Sequence, residues 1–259
     1  MESKLAKAVN LKYPPVAILW TDKKPEGALQ FKEGRWGCVI GMLRGAAMGK
    51  TAVFDRQTFG CMGGGTGLGF GNQYENMPGG IGHFLSTGNQ EFANSEMGRN
   101  IVRNMPAIEH GEGYCKTPEL GYKVINALPM REVPTQYVVF KPLDAVTENE
   151  TPVVIVFLAN PDQLSALMVM TNYAKEPGNN VIAPFAAGCH CIGILPYQEA
   201  ESDNPRAVLG LYDISVRKLV DKDVLSISVP FKLFLEMENN VAGSFLEKHV
   251  WQEVLKRNE

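Results

Sequence analysis

Residues 152–162 of this chain, PVVIVFLANPD, decide how the rest of the sequence is interpreted. Residues 152–159 are apolar and rich in β-branched side chains, which is typical of a strand buried on both faces of a sheet. Asn160 and Pro161 then supply the cap and the first-turn proline of a helix. A buried strand followed at once by a helix predicts a protein of mixed α and β structure.

The same signals recur on both sides of this stretch. Short β-prone runs predict further strands over residues 15–20, 51–54, 136–142, 207–212 and 224–229. Apolar residues at helical spacing predict helices over residues 1–10, 36–49, 95–104, 118–128, 160–174 and 230–256. We therefore predict an α+β or mixed α/β fold in a single compact domain over residues 1–259.

The two halves of the chain resemble each other, with a boundary near residues 135 and 136. Residues 15–18 (PVAI) match residues 152–155 (PVVI). Each run precedes a cysteine-bearing segment of small apolar residues and then a short Ala-Val strand. The pattern predicts an internal pseudo-duplication, with halves 1–135 and 136–259, in which cysteines of both halves meet near a shared axis.

Composition and charge exclude several classes of protein. The formal net charge is −3, and no run of Lys and Arg is longer than Lys23-Lys24, so the basic surface of a nucleic-acid binder is missing. No apolar run approaches the roughly 20 residues of a membrane-spanning helix, and the N-terminus has no apolar signal-peptide core. We expect a cytoplasmic protein without a nucleic-acid or membrane partner. The oligomeric state, a homo-oligomer included, stays open.

Residues 36–49, WGCVIGMLRGAAMG, place glycines at four-residue intervals along the predicted helix. Gly41, Gly45 and Gly49 would then form a stripe of small residues on one face. Such a stripe predicts that this helix approaches a neighbouring backbone closely.

The chain has five cysteines, an odd number that argues against a full disulfide framework in a reducing compartment. Each is then a small buried side chain, a reactive thiol or a metal ligand. The glycine-rich context singles out a set of predicted metal ligands: Cys38, Cys61, Cys189 and Cys191. Cys115 lies apart from this context, and we predict a structural role for it.

The predicted ligands differ in their local settings. Cys38 falls in the first turn of a predicted helix, and Cys61 opens a glycine-rich segment that we interpret as a loop. Gly63, Gly64 and Gly65 in that loop are predicted to surround the cofactor with backbone N–H groups. Cys189 and Cys191 can face one centre if they lie in a loop, whereas in a helix they would point about 200° apart.

Four converging thiolates suit either an iron–sulfur cluster or zinc. We place the iron–sulfur cluster, in particular a 4Fe–4S cluster, first and zinc second. The expected role is redox chemistry, with an electron-transfer partner or a small-molecule ligand. The chain has no C-x-x-C pair, so spacing alone does not select the metal.

Two alternatives stay open. The first is a metal-free protein in which the glycine-rich loop binds a small anion, with Lys50, Arg56 or His83 as the counter-charge. The second is a cysteine-dependent enzyme, for which His83 is a better base than His190, because His190 is adjacent in sequence to two of the thiols. Whether His83 or Cys115 takes part in the site also stays open.

Nucleotide-binding loops are excluded by spacing and context. Residues 45–51, GAAMGKT, end like a phosphate-binding loop, but one residue is missing between the two glycines. A helix also precedes this segment and a strand follows it, which reverses the order that the motif requires. The alternating glycines of residues 65–71 do not match the dinucleotide-binding spacing either.

Several segments together form a recognisable pattern: Trp36-x-Cys38, Cys61-x-Gly63-Gly64, Leu68-Gly69, the region of Gly188, Cys189 and Cys191, Asp213 with Arg217, and Val224 to Phe231. This pattern resembles domain-of-unknown-function family 169, which is found in archaea and anaerobic bacteria. The resemblance spans most of the chain and implies no particular reaction. The anaerobic distribution that it implies favours an oxygen-sensitive iron–sulfur cluster.

Overall fold

A seven-stranded sheet forms the centre of the structure, a computed structural model that describes residues 1–257. The strand order is β2-β3-β1-β4-β7-β6-β5, and the only parallel pair among the described strands is β5 with β6. The strands are β1 (Val16–Thr21), β2 (Ala52–Phe54), β3 (Tyr137–Pro142), β4 (Val154–Ala159), β5 (Val181–Ile182), β6 (Ala207–Gly210) and β7 (Leu225–Pro230).

Helices cover both faces of this sheet, which confirms the predicted α+β class in one domain. They are α1 (Lys4–Ala8), α2 (Val39–Ala47), α3 (Met62–Leu68), α4 (Ile81–Phe84), α5 (Gln90–Asn94), α6 (Glu96–Val102), α7 (Ala107–His110), α8 (Pro118–Asn126), α9 (Pro161–Asn172), α10 (Gly188–Ile192), α11 (Ile194–Ala200), α12 (Phe231–Asn239) and α13 (His249–Lys256). Short 3₁₀ turns occur at Gln73–Asn76, Leu143–Ala145, Ile214–Leu219 and Phe245–Glu247. Within residues 1–257, no helix is long and apolar enough to cross a membrane.

The strand predicted from residues 152–159 lies in the middle of the sheet as β4. All six of its residues are buried, and it pairs with β1 on one side and with β7 on the other. The helix predicted to follow begins with a capping box in which Asn160 and Gln163 exchange hydrogen bonds with each other's backbone N–H groups. Both predictions are confirmed.

The two faces of the sheet have separate apolar cores. Leu5, Leu167, Phe234 and Trp251 pack on one face, so α1, α9, α12 and α13 cover it. On the other face α2, α3, α10 and α11 contribute the buried side chains of Leu43, Leu68, Ile192 and Tyr197. Most of the predicted cysteine ligands belong to this second face.

The strand order has an approximate twofold arrangement. β1 and β4 lie side by side and antiparallel, β3 and β7 flank them, and β2 and β6 lie outside those. Strand β3, which follows residue 135 in the sequence, pairs with β1 and β2 and so lies among the strands of the first half. The predicted pseudo-duplication stays a prediction; this order is consistent with a repeat whose first half includes β3, and not with a boundary at residue 135.

Two local predictions about glycine are wrong. Gly41 is exposed, and a Cβ added there would meet no atom within 4 Å, so the stripe on α2 makes no close backbone contact. The glycine-rich segment is not a loop throughout, because residues 62–68, MGGGTGL, form helix α3. Gly69 ends that helix with a φ of 87°, a left-handed conformation that favours glycine.

Candidate functional site

A cavity of about 920 Å³ lies on the sheet face that is covered by α2, α3 and α10. Three of the four predicted ligands line it: Cys38, Cys61 and Cys189. They come from three separate segments of the chain, and each lies at or next to the first residue of a helix. The structure therefore brings together cysteines that are distant in sequence, including cysteines from both halves.

Backbone groups of α3 hold two of these thiols. Cys61 precedes α3, and its Sγ accepts a hydrogen bond from the N–H of Gly64 at 3.3 Å. Cys189 is the second residue of α10, and its thiol donates to the carbonyl oxygen of Gly63 at 2.9 Å. The two thiols are therefore fixed to opposite ends of a single peptide unit, the one that joins Gly63 to Gly64 at the start of α3.

Two glycines, which have no side chain, allow helices α3 and α10 to approach each other closely. A Cβ on Gly67 would lie 2.6 Å from the backbone carbonyl carbon of Cys189. A Cβ on Gly193 would lie 1.9 Å from the carbonyl oxygen of Gly67. Both distances are shorter than atoms tolerate, so glycine is required at both positions if Cys189 is to reach the cavity.

The fourth predicted ligand, Cys191, does not line this cavity. Its Sγ lies 3.7 Å from the hydroxyl of Tyr212, and its side chain packs with Ala186, Leu195 and Val208. The cause is helix α10, since two residues of a helix rotate the side chain by about 200°. The complete four-cysteine ligand set stays a prediction, of which three members share one cavity.

Cys115 lies beside a different cavity, of about 600 Å³, together with Leu120, Val124 and Phe185.

In the part of the chain that the structure describes, no group of three or more His, Cys, Asp or Glu side chains is already arranged to hold a metal ion. Metal binding at the three cavity cysteines would therefore require side-chain rotation, beginning with the Cys189 thiol that donates to Gly63.

The glycines predicted to surround a cofactor divide into two groups. Gly63 and Gly64 line the cavity, whereas a Cβ on Gly65 would point at Phe59 and Gln73. The counter-charges suggested for an anion lie outside the cavity lining: Lys50, Arg56 and His83. Arg35 and Lys218 are the basic residues that line it.

Burial raises the pKa of every thiol at this site. Desolvation is the main cause for Cys38 and Cys61, and it holds the pKa of Cys189 well above its ordinary value. The cavity thiols also raise one another's pKa, because each negative charge disfavours the next. Burial likewise raises the pKa of Cys191 to about 11. The metal-free protein therefore keeps these thiols protonated at neutral pH.

This protonation predicts slow alkylation. In metal-free protein at pH 7, we expect iodoacetamide to label Cys38, Cys61 and Cys189 more slowly than free cysteine, with rates that rise as the pH is raised, because the thiolate is the nucleophile. Mass spectrometry of tryptic peptides gives each rate, and denatured protein is the control. A cavity thiol that labels faster than free cysteine at pH 7 would contradict this expectation and favour the cysteine-dependent enzyme.

Sequence reasoning missed a tyrosine–histidine pair in the cavity wall. The Tyr74 hydroxyl lies 2.9 Å from Nε2 of His190, and both side chains are buried. Burial lowers the pKa of His190 to about 4. His190 points away from its cysteine neighbours and toward residue 74, which comes from a distant segment with no motif of its own.

Asp213 and Arg217, two of the residues on which the family resemblance rests, hold backbone segments near the cavity. Asp213 accepts a hydrogen bond from the N–H of Gly188 at 3.3 Å and so holds the start of α10. Arg217 donates to the carbonyl oxygens of Leu211 and Val224, where the chain leaves β6 and enters β7. Asp213 thus holds the backbone next to Cys189, and Arg217 fixes the segment between β6 and β7 that carries Asp213.

Comparison with known proteins identifies a family for this chain. No curated protein and no solved structure matches the chain. Residues 4–240 match domain-of-unknown-function family 169, which is described as uncharacterised ArCR. Because this match covers most of the chain, the protein belongs to that family, as the sequence resemblance predicted.

Proposed function

We propose that this protein binds a metal centre through cysteine thiolates, that the centre is an iron–sulfur cluster, and that its role is redox chemistry. Zinc is the second choice. One observation supports the proposal above all: Cys38, Cys61 and Cys189 come from three segments and line a single cavity. Thiols that converge on one cavity are what a metal centre bound by thiolates requires.

The donor chemistry fits such a centre. Thiolates are the ligands that iron–sulfur clusters and zinc prefer, and binding displaces the thiol protons. Gly64 already donates a backbone N–H to the sulfur of Cys61, and hydrogen bonds of this kind tune the potential of a cluster. On binding, Cys189 would exchange its hydrogen bond to Gly63 for a bond to the metal.

The cavity supports a chemical role for the metal centre, in addition to a structural one. With Cys191 outside the cavity, a centre held by the other three cysteines keeps one coordination position for a small molecule, as catalytic metal sites do. A volume of about 920 Å³ is sufficient for such a ligand. We therefore propose electron transfer to or from a small molecule in this cavity, with a separate electron-transfer partner.

The two alternatives have less support. For an anion site, the basic residues that the sequence predicted, Lys50, Arg56 and His83, lie outside the cavity lining, where Arg35 and Lys218 would have to replace them. A thiol enzyme would need a lowered thiol pKa, whereas burial raises it here. All five cysteines are unpaired, which fits a reducing compartment, and we propose the cytoplasm as the location.

The deciding measurement is metal analysis of protein purified without oxygen. We expect a brown protein with visible absorbance and with about four iron and four acid-labile sulfide per chain, as a cubane cluster requires. Zinc without colour would support the second choice of metal. Protein that stays free of metal after anaerobic reconstitution with iron and sulfide, and after incubation with zinc, would contradict the proposal.

A further inference from the structure

The Tyr74–His190 pair has a hydrogen-bonding arrangement that points to a ligand. Tyr74 is 9% exposed and His190 is 2% exposed, and both line the cavity. A buried polar group normally has a partner for each donor, because an unsatisfied one costs free energy.

The tautomer of His190 is fixed by the backbone. The N–H of Ala187 donates to Nδ1 of His190 at 3.2 Å, so Nδ1 carries a lone pair rather than a proton. The imidazole proton is then on Nε2, which lies 2.9 Å from the Tyr74 hydroxyl oxygen. His190 is therefore the donor in this hydrogen bond, and Tyr74 is the acceptor.

The hydroxyl proton of Tyr74 is a hydrogen-bond donor without an acceptor. Among residues 1–257, the hydroxyl has its hydrogen bond with His190, in which it accepts, and no further group there accepts its proton. The hydroxyl lies over Gly63, where an added Cβ would be 3.0 Å from its oxygen and 3.6 Å from Sγ of Cys189. The free donor thus faces the part of the cavity next to the thiols.

We propose that Tyr74 donates this proton in a hydrogen bond to the carbonyl oxygen of a small, largely apolar compound bound in the cavity. The apolar part of the ligand would lie against the surrounding hydrophobic side chains, which include Trp36, Phe59, Met62, Met77 and Phe185. His190 is a positioning residue that holds the hydroxyl in place. The inference goes beyond the metal centre proposed above, because the hydrogen bond needs no metal.

An isosteric pair of probes tests the site in metal-free protein. The ketone 2-acetylnaphthalene offers a carbonyl oxygen, and 2-isopropenylnaphthalene replaces that oxygen by a CH₂ group. We expect Tyr74→Phe to reduce the affinity ratio of ketone to alkene by about tenfold, the upper end for one neutral hydrogen bond. The infrared carbonyl stretch of the bound ketone should move to lower frequency in the wild type and return in Tyr74→Phe.

Tyr114→Phe is the matched control. Tyr114 lines the same cavity, but its hydroxyl lies close enough to the side chains of Glu112 and Ser215 for both to affect its pKa. We expect this variant to keep both the affinity ratio and the carbonyl shift. Tyr74→Phe leaves the His190 proton without an acceptor, so the folding of this variant is checked by circular dichroism. The carbonyl stretch measured in the wild type tests the proposal even if the variant does not fold.

Three outcomes would overturn the proposal. The first is no ketone binding up to its solubility limit, and the second is an unshifted carbonyl stretch in the wild type. The third is an affinity ratio that is unchanged in folded Tyr74→Phe, as expected if the hydroxyl donates to sulfur or water instead. The measurements use metal-free protein, so their outcome is independent of whether the protein is found to bind iron or zinc.

Discussion

Replacing Cys61 or Cys189 by serine is expected to lower metal affinity by more than about tenfold, since even residues behind the ligands affect affinity by 10- to 100-fold. Both thiols line the cavity, and both form hydrogen bonds with the peptide unit that joins Gly63 to Gly64 in α3. A serine hydroxyl keeps the shape but is a far poorer ligand for iron. Iron, sulfide and visible absorbance, measured per chain after purification without oxygen, give the result.

Cys191→Ala is the matched control, because Cys191 lies two residues from Cys189 and faces away from the cavity. We expect this variant to keep the metal content of the wild type. Cys115→Ala, in the other cavity, should do the same. Full metal content in both serine variants would contradict the proposed centre. Equal loss in Cys191→Ala would show that the fourth predicted ligand moves in when metal binds.

Gly67→Ala is expected to decrease the free energy of unfolding by about 2–3 kcal/mol, the upper part of the range for overpacked cores. The added methyl group would lie 2.6 Å from the backbone of Cys189, and backbone cannot rotate away as a flexible side chain can. Helices α3 and α10 must then separate. Denaturant unfolding at equilibrium, followed by circular dichroism, measures the change.

Gly41→Ala is the control, for which we expect the free energy of unfolding to increase. Gly41 is also inside a helix, but a Cβ there meets no atom within 4 Å. Alanine should therefore stabilise α2 by about 0.5–1 kcal/mol through its higher helix propensity. If both substitutions changed stability alike, the close approach of α3 and α10 would not be the cause.

Local patterns predicted most of the fold. The strand over residues 152–159 and the helix after it were predictable, because an apolar β-branched run and an Asn-Pro helix start act within a few residues. Helix α3 was not predictable, because glycine has a low helix propensity and four of its residues are glycine, in MGGGTGL. Tertiary packing against α10 outweighs that propensity, since only glycine fits between the two helices.

Sequence alone determined the family and the fold class, and it singled out the cysteines that were predicted as ligands. Tertiary structure decided which cysteines meet. Cys38, Cys61 and Cys189 converge because the sheet brings α2, α3 and α10 to one face, and Cys191 is turned away by the rotation of a single helix. It also paired Tyr74 with His190 across 116 positions of the chain. Such contacts depend on packing between distant segments, which no local periodicity encodes.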